Sequence, residues 1–319
     1  MMKTIEYKIA QAESEWCSSR IENIGIRETL VRLCKALRGR VSKEFTRIVR
    51  TFWLGMKNRV FQPSYTQNKE NIVVSLTTIS GRIKDIFPTL NSLVLQTHKP
   101  NLIVLWLGDN AEYPKRIISK IKSMGIKIEY CKDLGPNTKY HYAFKEYNND
   151  LVITVDDDII YNEKMIEELY STHLKHPDLV IARRVHKIRF GLDRRPVKYR
   201  NWIWEYRNSN QPSHELLATG VGGVLYTPSV MKLKCWVNTD FLNVCPFCDD
   251  IWLKFCELTH NIKVCAVDDS MFEYDVVNKK MQKTALATEN VDKEKNDERI
   301  QSCIEYFEMI DDFCEKILL

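Results

Sequence analysis

The sequence predicts an α/β protein built on a mostly parallel central sheet with helices on both faces, preceded by a basic helical arm. From residue 71 onward, short runs of β-branched and aliphatic residues alternate with segments of helical periodicity, a pattern typical of parallel sheets. Residues 151–155 are mostly aliphatic, as in a strand buried on both faces, and three aspartates follow them directly. Residues 21–61 instead place apolar side chains at helical intervals among many basic ones.

The predicted arm and the predicted domain divide the chain at residue 70. Residues 1–70 form a basic amphipathic helical region that ends in a polar linker, and residues 71–319 form the alternating domain with a C-terminal helical tail. Ten lysines and arginines stand against three glutamates in residues 21–61. Such a helix is suited either to an anionic membrane surface or to packing on the domain or a partner subunit, and both alternatives stay open.

The domain is predicted to alternate strands and helices from its first residues. Strands are expected at residues 71–76, 102–107, 126–130, 151–155, 179–182 and 264–267. Helices are expected at residues 83–96, 114–124, 139–147 and 165–174, with another opening near residue 248 and a tail helix from about residue 298. Pro88 is tolerated in a first helical turn, and Gly125 is a natural residue to end the second helix.

The aspartates Asp156, Asp157 and Asp158 are the most informative feature of the chain. Carboxylates are costly in a core, so three in a row mark the point where the strand leaves it. In open α/β sheets, ligands bind at this carboxyl end of the strands. Clustered oxygen ligands favour Mg²⁺ or Mn²⁺, and such an ion binds diphosphate in turn. The alternative is an acidic turn whose charges are simply solvated.

Bulk properties exclude several classes of protein. The net charge of +5 comes without a dense basic stripe with interleaved aromatic residues, so we expect no nucleic-acid partner. No apolar stretch approaches the roughly 18–20 residues that span a bilayer, and residues 1–10 lack the apolar core of a signal peptide. We therefore expect a cytoplasmic protein, with residues 21–61 as the candidate for peripheral contact with the inner face of the cell membrane. The CxxC at Cys245 and Cys248 lacks a second pair at zinc-site spacing, so buried thiols are the favoured interpretation.

Residues 71–269, with part of 290–297, resemble nucleotide-sugar glycosyltransferases of the GT-A fold, most closely family-2-like bacterial enzymes. Six motifs in this order carry the resemblance: Val74-Ser75-Leu76-Thr77-Thr78 with Arg82, Leu107-Gly108-Asp109, Gly135-Pro136-Asn137-Thr138-Lys139, Asp156-Asp157-Asp158, Thr219-Gly220-Val221-Gly222-Gly223 and Asp249-Asp250-Ile251-Trp252. The resemblance implies a Rossmann-like fold and a donor that is a nucleotide-diphospho-sugar.

The resemblance also implies residues that bind the donor and a metal ion. The expected donor-binding residues are Thr77, Thr78, Arg82, Asp109, Lys139, Asp156, Asp157, Gly222 and Gly223. Asp158 is the expected direct ligand of Mn²⁺ or Mg²⁺, and Asp156 is expected to contact the ribose or the metal through water. Each of these roles has an alternative. Arg82 would then be a solvated loop charge, Lys139 would be a capping charge, and the glycines would form a tight bend.

The acid pair at residues 249 and 250 is the second chemical feature that the resemblance interprets. An inverting transferase needs a carboxylate to accept the proton of the acceptor hydroxyl, and Asp250 is the expected base with Asp249 as the runner-up. Helix capping is the alternative for both. Trp252, Trp202 and Trp204 are expected to stack on a saccharide or lipid-linked acceptor, with core packing as the alternative.

The expected activity is therefore metal-dependent, inverting transfer of a sugar in cell-surface polysaccharide synthesis. Two other classes remain to be tested. One is a nucleotidyltransferase or phosphatase that uses the same carboxylates on phosphate chemistry. The other is a carbohydrate- or membrane-binding module that retains a catalytically inactive transferase fold.

Overall fold

The computed structural model describes residues 70–207, 211–236, 238–267, 275–277, 294–310 and 312–318. Its strands are β1 (Ile72–Thr78), β2 (Leu102–Gly108), β3 (Lys127–Cys131), β4 (Leu151–Thr154), β5 (Ile159–Ile160), β6 (Val180–Ala182), β7 (Val185–Lys187), β8 (Leu216–Ala218), β9 (Val224–Tyr226), β10 (Val264–Ala266) and β11 (Asp275–Val276). Its α-helices are α1 (Phe87–Val94), α2 (Lys115–Ser123), α3 (Thr138–Glu146), α4 (Met165–Lys175), α5 (Pro228–Met231), α6 (Phe241–Val244), α7 (Asp249–Thr259), α8 (Lys295–Tyr306) and α9 (Phe313–Leu318). The basic helix expected at residues 21–61 lies outside the described residues, so it and the division at residue 70 stay predictions.

Seven strands form the central sheet in the order β10-β6-β9-β4-β1-β2-β3. Strand β1 is parallel to both β4 and β2, β2 is parallel to β3, and β6 is parallel to β10. Strand β9 lies antiparallel between β4 and β6. The predicted mostly parallel α/β fold is confirmed, and the antiparallel strand β9 is an addition to it.

Alternate residues of each strand face two separate hydrophobic layers, which is why the strand sequences are apolar throughout. On β1, Val73 belongs to the layer that contains α3, α7 and α8, whereas its neighbours Ile72 and Val74 belong to the layer that contains α1, α2 and α4. Helices therefore cover both faces of the sheet, as predicted. Every strand of the central sheet except β9 delivers its carboxyl end to one edge, and the acid triplet follows β4 at that edge.

Two helices begin three or more residues away from the predicted start, and proline explains one of these differences. Helix α1 begins at Phe87 rather than at residue 83, with Pro88 in its first turn. Proline lacks a backbone N–H and is favoured where that donor has no helical partner, so it marks the start of the helix rather than its interior. Helix α8 begins at Lys295, three residues before the predicted start.

Short elements that the sequence pattern did not reveal lie beside the edge of the sheet. Strands β7 and β8 form an antiparallel pair, and β5 pairs with β11 directly after the acid triplet. None of the helices among the described residues is long and apolar enough to cross a membrane.

Candidate active site

The acid triplet follows β4 directly, and the main chain of β1 holds it in place. The amide of Val155 donates to the Ser75 carbonyl at 3.0 Å, which continues the β1–β4 pairing to the last residue before Asp156. The amide of Asp156 then turns away and donates to the Tyr161 hydroxyl at 2.8 Å. The three carboxylates therefore stand at the edge where parallel strands end, as predicted.

Residues from the loop after β1 neutralise two of these carboxylates. The guanidinium of Arg82 contacts Asp157 Oδ1 at 3.2 Å and Asp158 Oδ2 at 2.7 Å. The Thr78 hydroxyl donates to the other oxygen of Asp157. Arg82 is thus not a solvated loop charge, because it ties the end of β1 to the acid triplet.

The second acid pair occupies the first turn of α7. Residue Cys248 is the N-cap of this helix, so Asp249 and Asp250 lie inside it and the capping interpretation does not hold in its strict form. The helix N-terminus still favours their negative charge. The amide of Gly220 donates to Asp250 Oδ1 at 3.2 Å, which brings the glycine-rich segment to this pair.

Lys139 joins the two acidic motifs. Its Nζ lies 2.6 Å from Asp156 Oδ1 and 2.9 Å from Asp249 Oδ2, and its side chain is only 6% exposed. The Lys139 carbonyl accepts the hydroxyl of Ser75 on β1. One buried ammonium therefore connects the end of β4 with the start of α7, which neither alternative for Lys139 in the sequence had included.

The electrostatics of the site show a surplus of negative charge. Burial, followed by repulsion from Asp156 and Asp157, raises the pKa of Asp158 to about 6. Burial also raises the pKa of Asp157, although Arg82 opposes it. Burial and the neighbouring charge of Asp249 raise the pKa of Asp250 well above the ordinary aspartate value. Burial alone would lower the pKa of Lys139, but Asp156 and Asp249 raise it well above the ordinary lysine value.

This surplus fits a cation. Four carboxylates share two cationic side chains, Arg82 and Lys139, and the fifth, Asp250, accepts only the Gly220 amide within the contacts described above. Among the described residues, no group of three or more acid, histidine or cysteine side chains is arranged to hold a metal ion. Mg²⁺ needs no such cage, since it is usually held by one or two carboxylates together with substrate phosphates and water. The donor set at residues 156–158 is therefore compatible with a divalent ion that arrives with a phosphate ligand.

The remaining predicted donor residues have different surroundings. The Thr77 hydroxyl donates to the Trp106 carbonyl at 3.0 Å, so Thr77 fastens β1 to β2. Asp109 is exposed just beyond the end of β2, and its amide donates to the Cys131 carbonyl at 2.8 Å. Both residues lie at the expected edge of the sheet, and the role of Asp109 in binding a base stays a prediction.

Of the three glycines in the glycine-rich segment, one contributes to the site and two are needed for the conformation of the backbone. A Cβ on Gly220 would lie 3.0 Å from both Asp156 Oδ1 and Lys139 Nζ. A Cβ on Gly222 would meet the Arg184 amide at 2.8 Å, and Gly223 has a φ of +86°. For Gly222 and Gly223 the tight-bend interpretation accounts for the glycine, whereas Gly220 leaves room for the Lys139 bridge.

Two of the three tryptophans predicted to stack on an acceptor lie in the core. Trp252 is 0% exposed and packs against Phe241 and Phe307, so it offers no face to a sugar. Trp202 is 6% exposed. The stacking prediction is wrong for Trp252 and for Trp202, for which core packing holds. Trp204 is 40% exposed and remains a candidate.

Several residues at the site were given no role from the sequence. The Ser75 hydroxyl accepts the Trp106 indole N–H at 2.9 Å while it donates to Lys139. Tyr161 orients Asp156, and its position five residues after that aspartate is a signal that a search for polar aromatics near the triplet would have found. Ser75 stood in the first motif, but its buried partners cannot be inferred from spacing.

Comparison with known proteins agrees with the motif order. Residues 79–231, just under half of the chain, match the model of the family described as Glycosyl transferase family 2. The match covers the acid triplet and the glycine-rich segment and ends before the acid pair at residues 249 and 250. Among curated proteins, none has a sequence that matches this chain significantly.

Solved structures similar to this chain include S. aureus TarS. The structure of TarS 1–349 in complex with UDP has a TM-score of 0.45 at 14% identity and covers 64% of this chain and 59% of that chain. The complex of TarS 1–349 with UDP-GlcNAc has a TM-score of 0.42 at 15% identity, with 64% and 57% covered. This chain thus spans less than two thirds of the length of these TarS chains. The family match confirms the resemblance found in the sequence, since residues 79–231 are similar to the proteins of that family.

Proposed function

We propose that the protein is a glycosyltransferase that moves a sugar from a nucleotide-diphospho-sugar to an acceptor hydroxyl. The observation that carries this proposal is the Lys139 bridge, which brings the acid triplet and the acid pair to one site. The acid triplet is suited to binding a diphosphate with its cation, and the acid pair is suited to accepting a proton. Both are needed within one site for transfer of a glycosyl group.

The donor side of the site is formed by Arg82 and the acid triplet. The guanidinium of Arg82, now occupied by Asp157 and Asp158, has the geometry to meet phosphate oxygens when these carboxylates engage a cation. Asp158, with Asp156 beside it, would hold Mn²⁺ or Mg²⁺, which supplies neutralisation of the departing nucleoside diphosphate. Asp109, at the end of β2, is the proposed contact for the nucleoside base.

The acceptor side is formed by the acid pair, with Asp250 as the base. Its raised pKa makes it a stronger base than an ordinary aspartate, which favours transfer of a proton from the acceptor hydroxyl to it. The acceptor oxygen would form the new bond to the anomeric carbon and give its proton to Asp250. The bond from that carbon to the diphosphate breaks, and its electron pair leaves with the diphosphate. Attack opposite the leaving group inverts the anomeric carbon.

Lys139 and the Gly220 amide contact different carboxylates around this base. Lys139 forms ion pairs with Asp249 and Asp156. Asp250 is therefore left with a backbone N–H as its nearest partner. The proposed acceptor is a saccharide or a lipid-linked saccharide, in the synthesis of a cell-surface polysaccharide.

The test is thermal stabilisation of the full chain by UDP and GDP, each with Mn²⁺, with Mg²⁺ and with chelator. A ligand that binds the native state raises the melting temperature, so one nucleotide should stabilise the protein in the presence of metal. Asp158→Asn should remove the metal-dependent part of this shift. Asp85→Asn is the matched control, because Asp85 is an exposed aspartate three residues after Arg82. Equal nucleotide responses in both variants would contradict the assignment of Asp158, and no response in the folded wild-type protein would contradict the proposed function.

A further inference from the structure

A hairpin rooted beside Asp250 extends from the site. We name residues 189–200 the basic hairpin. Its arms are closed by a bridge between Phe190 and Pro196 and by a hydrogen bond from the Gly191 amide to the Arg195 carbonyl at 2.9 Å. Phe190 packs on Phe313 of α9, with ring centroids 5.9 Å apart. The hairpin is therefore a folded part of the molecule that is anchored to the C-terminal helices.

The root of the basic hairpin is close to the proposed base. Tyr199 is 7% exposed, and burial together with the charge of Asp250 raises its pKa. A second connection runs through α8, where Asp297 Oδ1 accepts the Tyr199 amide at 2.7 Å and the neighbouring Asn296 Oδ1 accepts from the thiol of Cys248, which directly precedes the acid pair, at 3.5 Å. An acceptor whose hydroxyl reaches Asp250 would therefore continue onto this surface.

A fixed, exposed aromatic side chain stands at the same root. The Trp204 ring stacks on His186 with centroids 4.8 Å apart and an interplanar angle of 28°. Its indole N–H donates to the Tyr199 carbonyl at 3.3 Å, and the next amide, of Glu205, donates to His186 Nδ1 at 3.0 Å. Burial lowers the pKa of His186 to about 3, so the ring beneath Trp204 is neutral. Trp204 is thus a rigid apolar platform, suited to the C–H face of a sugar ring.

The exposed side chains of the basic hairpin carry a surplus of positive charge. Arg194 pairs with Glu315 at 3.3 Å, and Lys198 and Arg200 share the single carboxylate of Glu294. Arg189 and Arg195 are exposed, and neither forms an ion pair with any residue in the described part of the chain. Guanidinium groups in this state are ready partners for carboxylate or phosphate groups.

We infer that the basic hairpin and Trp204 bind the acceptor, and that this acceptor is an anionic saccharide that bears carboxylate or phosphate groups. The inference rests on the proposed function, because it takes Asp250 to be the base that the acceptor must reach. A saccharide fits better than a membrane surface, since Leu192 is the single exposed large apolar side chain of the hairpin, whereas the exposed ring of Trp204 stands at the root, where it bonds to Tyr199. Charged partners steer encounter and set specificity through such surfaces.

The test measures binding of fluorescently labelled anionic oligosaccharides to the full chain. The probes are an oligogalacturonate and a phosphorylated maltooligosaccharide, with neutral maltooligosaccharide of equal length as the reference. The variant Arg189→Gln/Arg195→Gln/Lys198→Gln removes three charges from the hairpin. The matched control Lys115→Gln/Arg116→Gln/Lys122→Gln removes three charges from the exposed face of α2.

At least one anionic probe should bind more tightly than the neutral one and weaken with salt. The hairpin variant should lose roughly fivefold or more in affinity for that probe, since several rim charges act together, while the α2 variant keeps it. Trp204→Ala should weaken the anionic and neutral probes alike. Binding of neither anionic probe, or equal losses in the two charge variants, would overturn the inference. Loss of binding to phosphatidylserine vesicles in the hairpin variant, with oligosaccharide binding unchanged, would overturn it in favour of a membrane surface.

Nucleotide binding separates this inference from the proposed function. Metal-dependent stabilisation by UDP or GDP should be the same in the hairpin variant and in the wild-type protein, because Arg82 and the acid triplet are intact. A wild-type protein that responds to nucleotide and binds no anionic oligosaccharide leaves the proposed function standing and removes the anionic acceptor. A protein that binds the oligosaccharide without any response to nucleotide contradicts the proposed function and leaves the binding of anionic saccharides standing.

Discussion

The acid triplet and the acid pair are built from the same residue type but are neutralised in different ways. Two of the three triplet carboxylates contact Arg82, and Asp157 also accepts the Thr78 hydroxyl. Asp250 has the Gly220 amide and shares no cation directly. The carboxylates of the triplet can thus exchange Arg82 for another cation. In the pair, the negative charge of Asp250 is not neutralised by a cationic side chain of the described residues. That difference is what a cation site and a proton acceptor respectively require.

The largest expected effect comes from the pair. Asp250→Asn keeps the size of the side chain and removes its basicity, so turnover should fall by about 10³-fold, within the range typical of general bases. Nucleotide binding should be unchanged, because the triplet is intact. Turnover with a saturating donor, beside the thermal shift with nucleotide and metal, checks both halves of the expectation. Normal turnover in this variant would remove Asp250 from the role of base.

The second effect comes from breaking the link between the two motifs. Lys139→Met leaves Asp156 and Asp249 without their shared ammonium in a largely buried place, which should reduce the free energy of unfolding by about 3 kcal/mol. The stabilisation by nucleotide and metal should shrink too, since Asp156 loses its orienting partner. Urea unfolding with and without nucleotide measures both quantities.

Lys254→Met provides the control for this variant. Lys254 forms the other strongly buried ion pair of α7, with Glu257 at 2.8 Å, away from the acid motifs. It should lose similar stability and keep the nucleotide response. If Lys139→Met is as stable as the wild-type protein without nucleotide, Lys139 is a phosphate contact rather than the bridge.

Much of the sheet was predictable from the sequence because buried parallel strands leave an unambiguous apolar run. The run at residues 151–155 predicted a strand there, and the structure has the acid triplet at the carboxyl end of that strand. The direction of β9 was not predictable, because three apolar residues after the glycine-rich segment carry no information on parallel or antiparallel pairing.

Side-chain partners across the fold were harder to predict than positions along it. Trp252 was assigned to the acceptor because it lies on the same helix as Asp250, yet residues two apart on a helix point to different sides. Asp250 faces Gly220, and Trp252 faces the core. The Lys139 bridge joins residues 17 and 110 positions apart, so only tertiary packing brings them together.

The third effect is a pH dependence that distinguishes the two acids of the pair. The pKa of Asp250 is raised in the folded protein, so the base is protonated and inactive as pH falls through this raised value. The activity should therefore decline at a higher pH than the roughly 4 of an ordinary aspartate. Asp249→Asn removes a repelling charge and should therefore move this acid limb to lower pH. An acid limb at the same pH in both proteins would assign it to another group.

The same raised pKa fixes the sign for stability. Between the unfolded and folded pKa values of Asp250 the folded state binds more protons, so stability that is present at low pH is lost as pH rises through this window. Asp250→Asn should flatten that loss. Thermal melts at closely spaced pH values, without nucleotide, compare the two proteins directly.

The smallest effect tests the space around the bridge. In Gly220→Ala the new methyl would stand 3.0 Å from Asp156 Oδ1 and Lys139 Nζ, so both side chains must move by a few tenths of an ångström. We expect a stability change below about 1 kcal/mol and a loss of turnover of roughly fivefold, since small misplacements of reacting groups lower rates. Gly81→Ala, where the methyl meets nothing within 4 Å, should change neither quantity.

Gly222→Ala completes this comparison because it should affect stability more than Gly220→Ala does. Its methyl would approach the Arg184 amide to 2.8 Å, and a backbone group cannot yield as a lysine side chain can. It should therefore cost more stability than Gly220→Ala, about 1–3 kcal/mol, as overpacked positions typically do. If Gly220→Ala is instead the less stable of the two and keeps full turnover, the glycine is needed for the chain path, and the room it leaves beside Lys139 plays no part in the reaction.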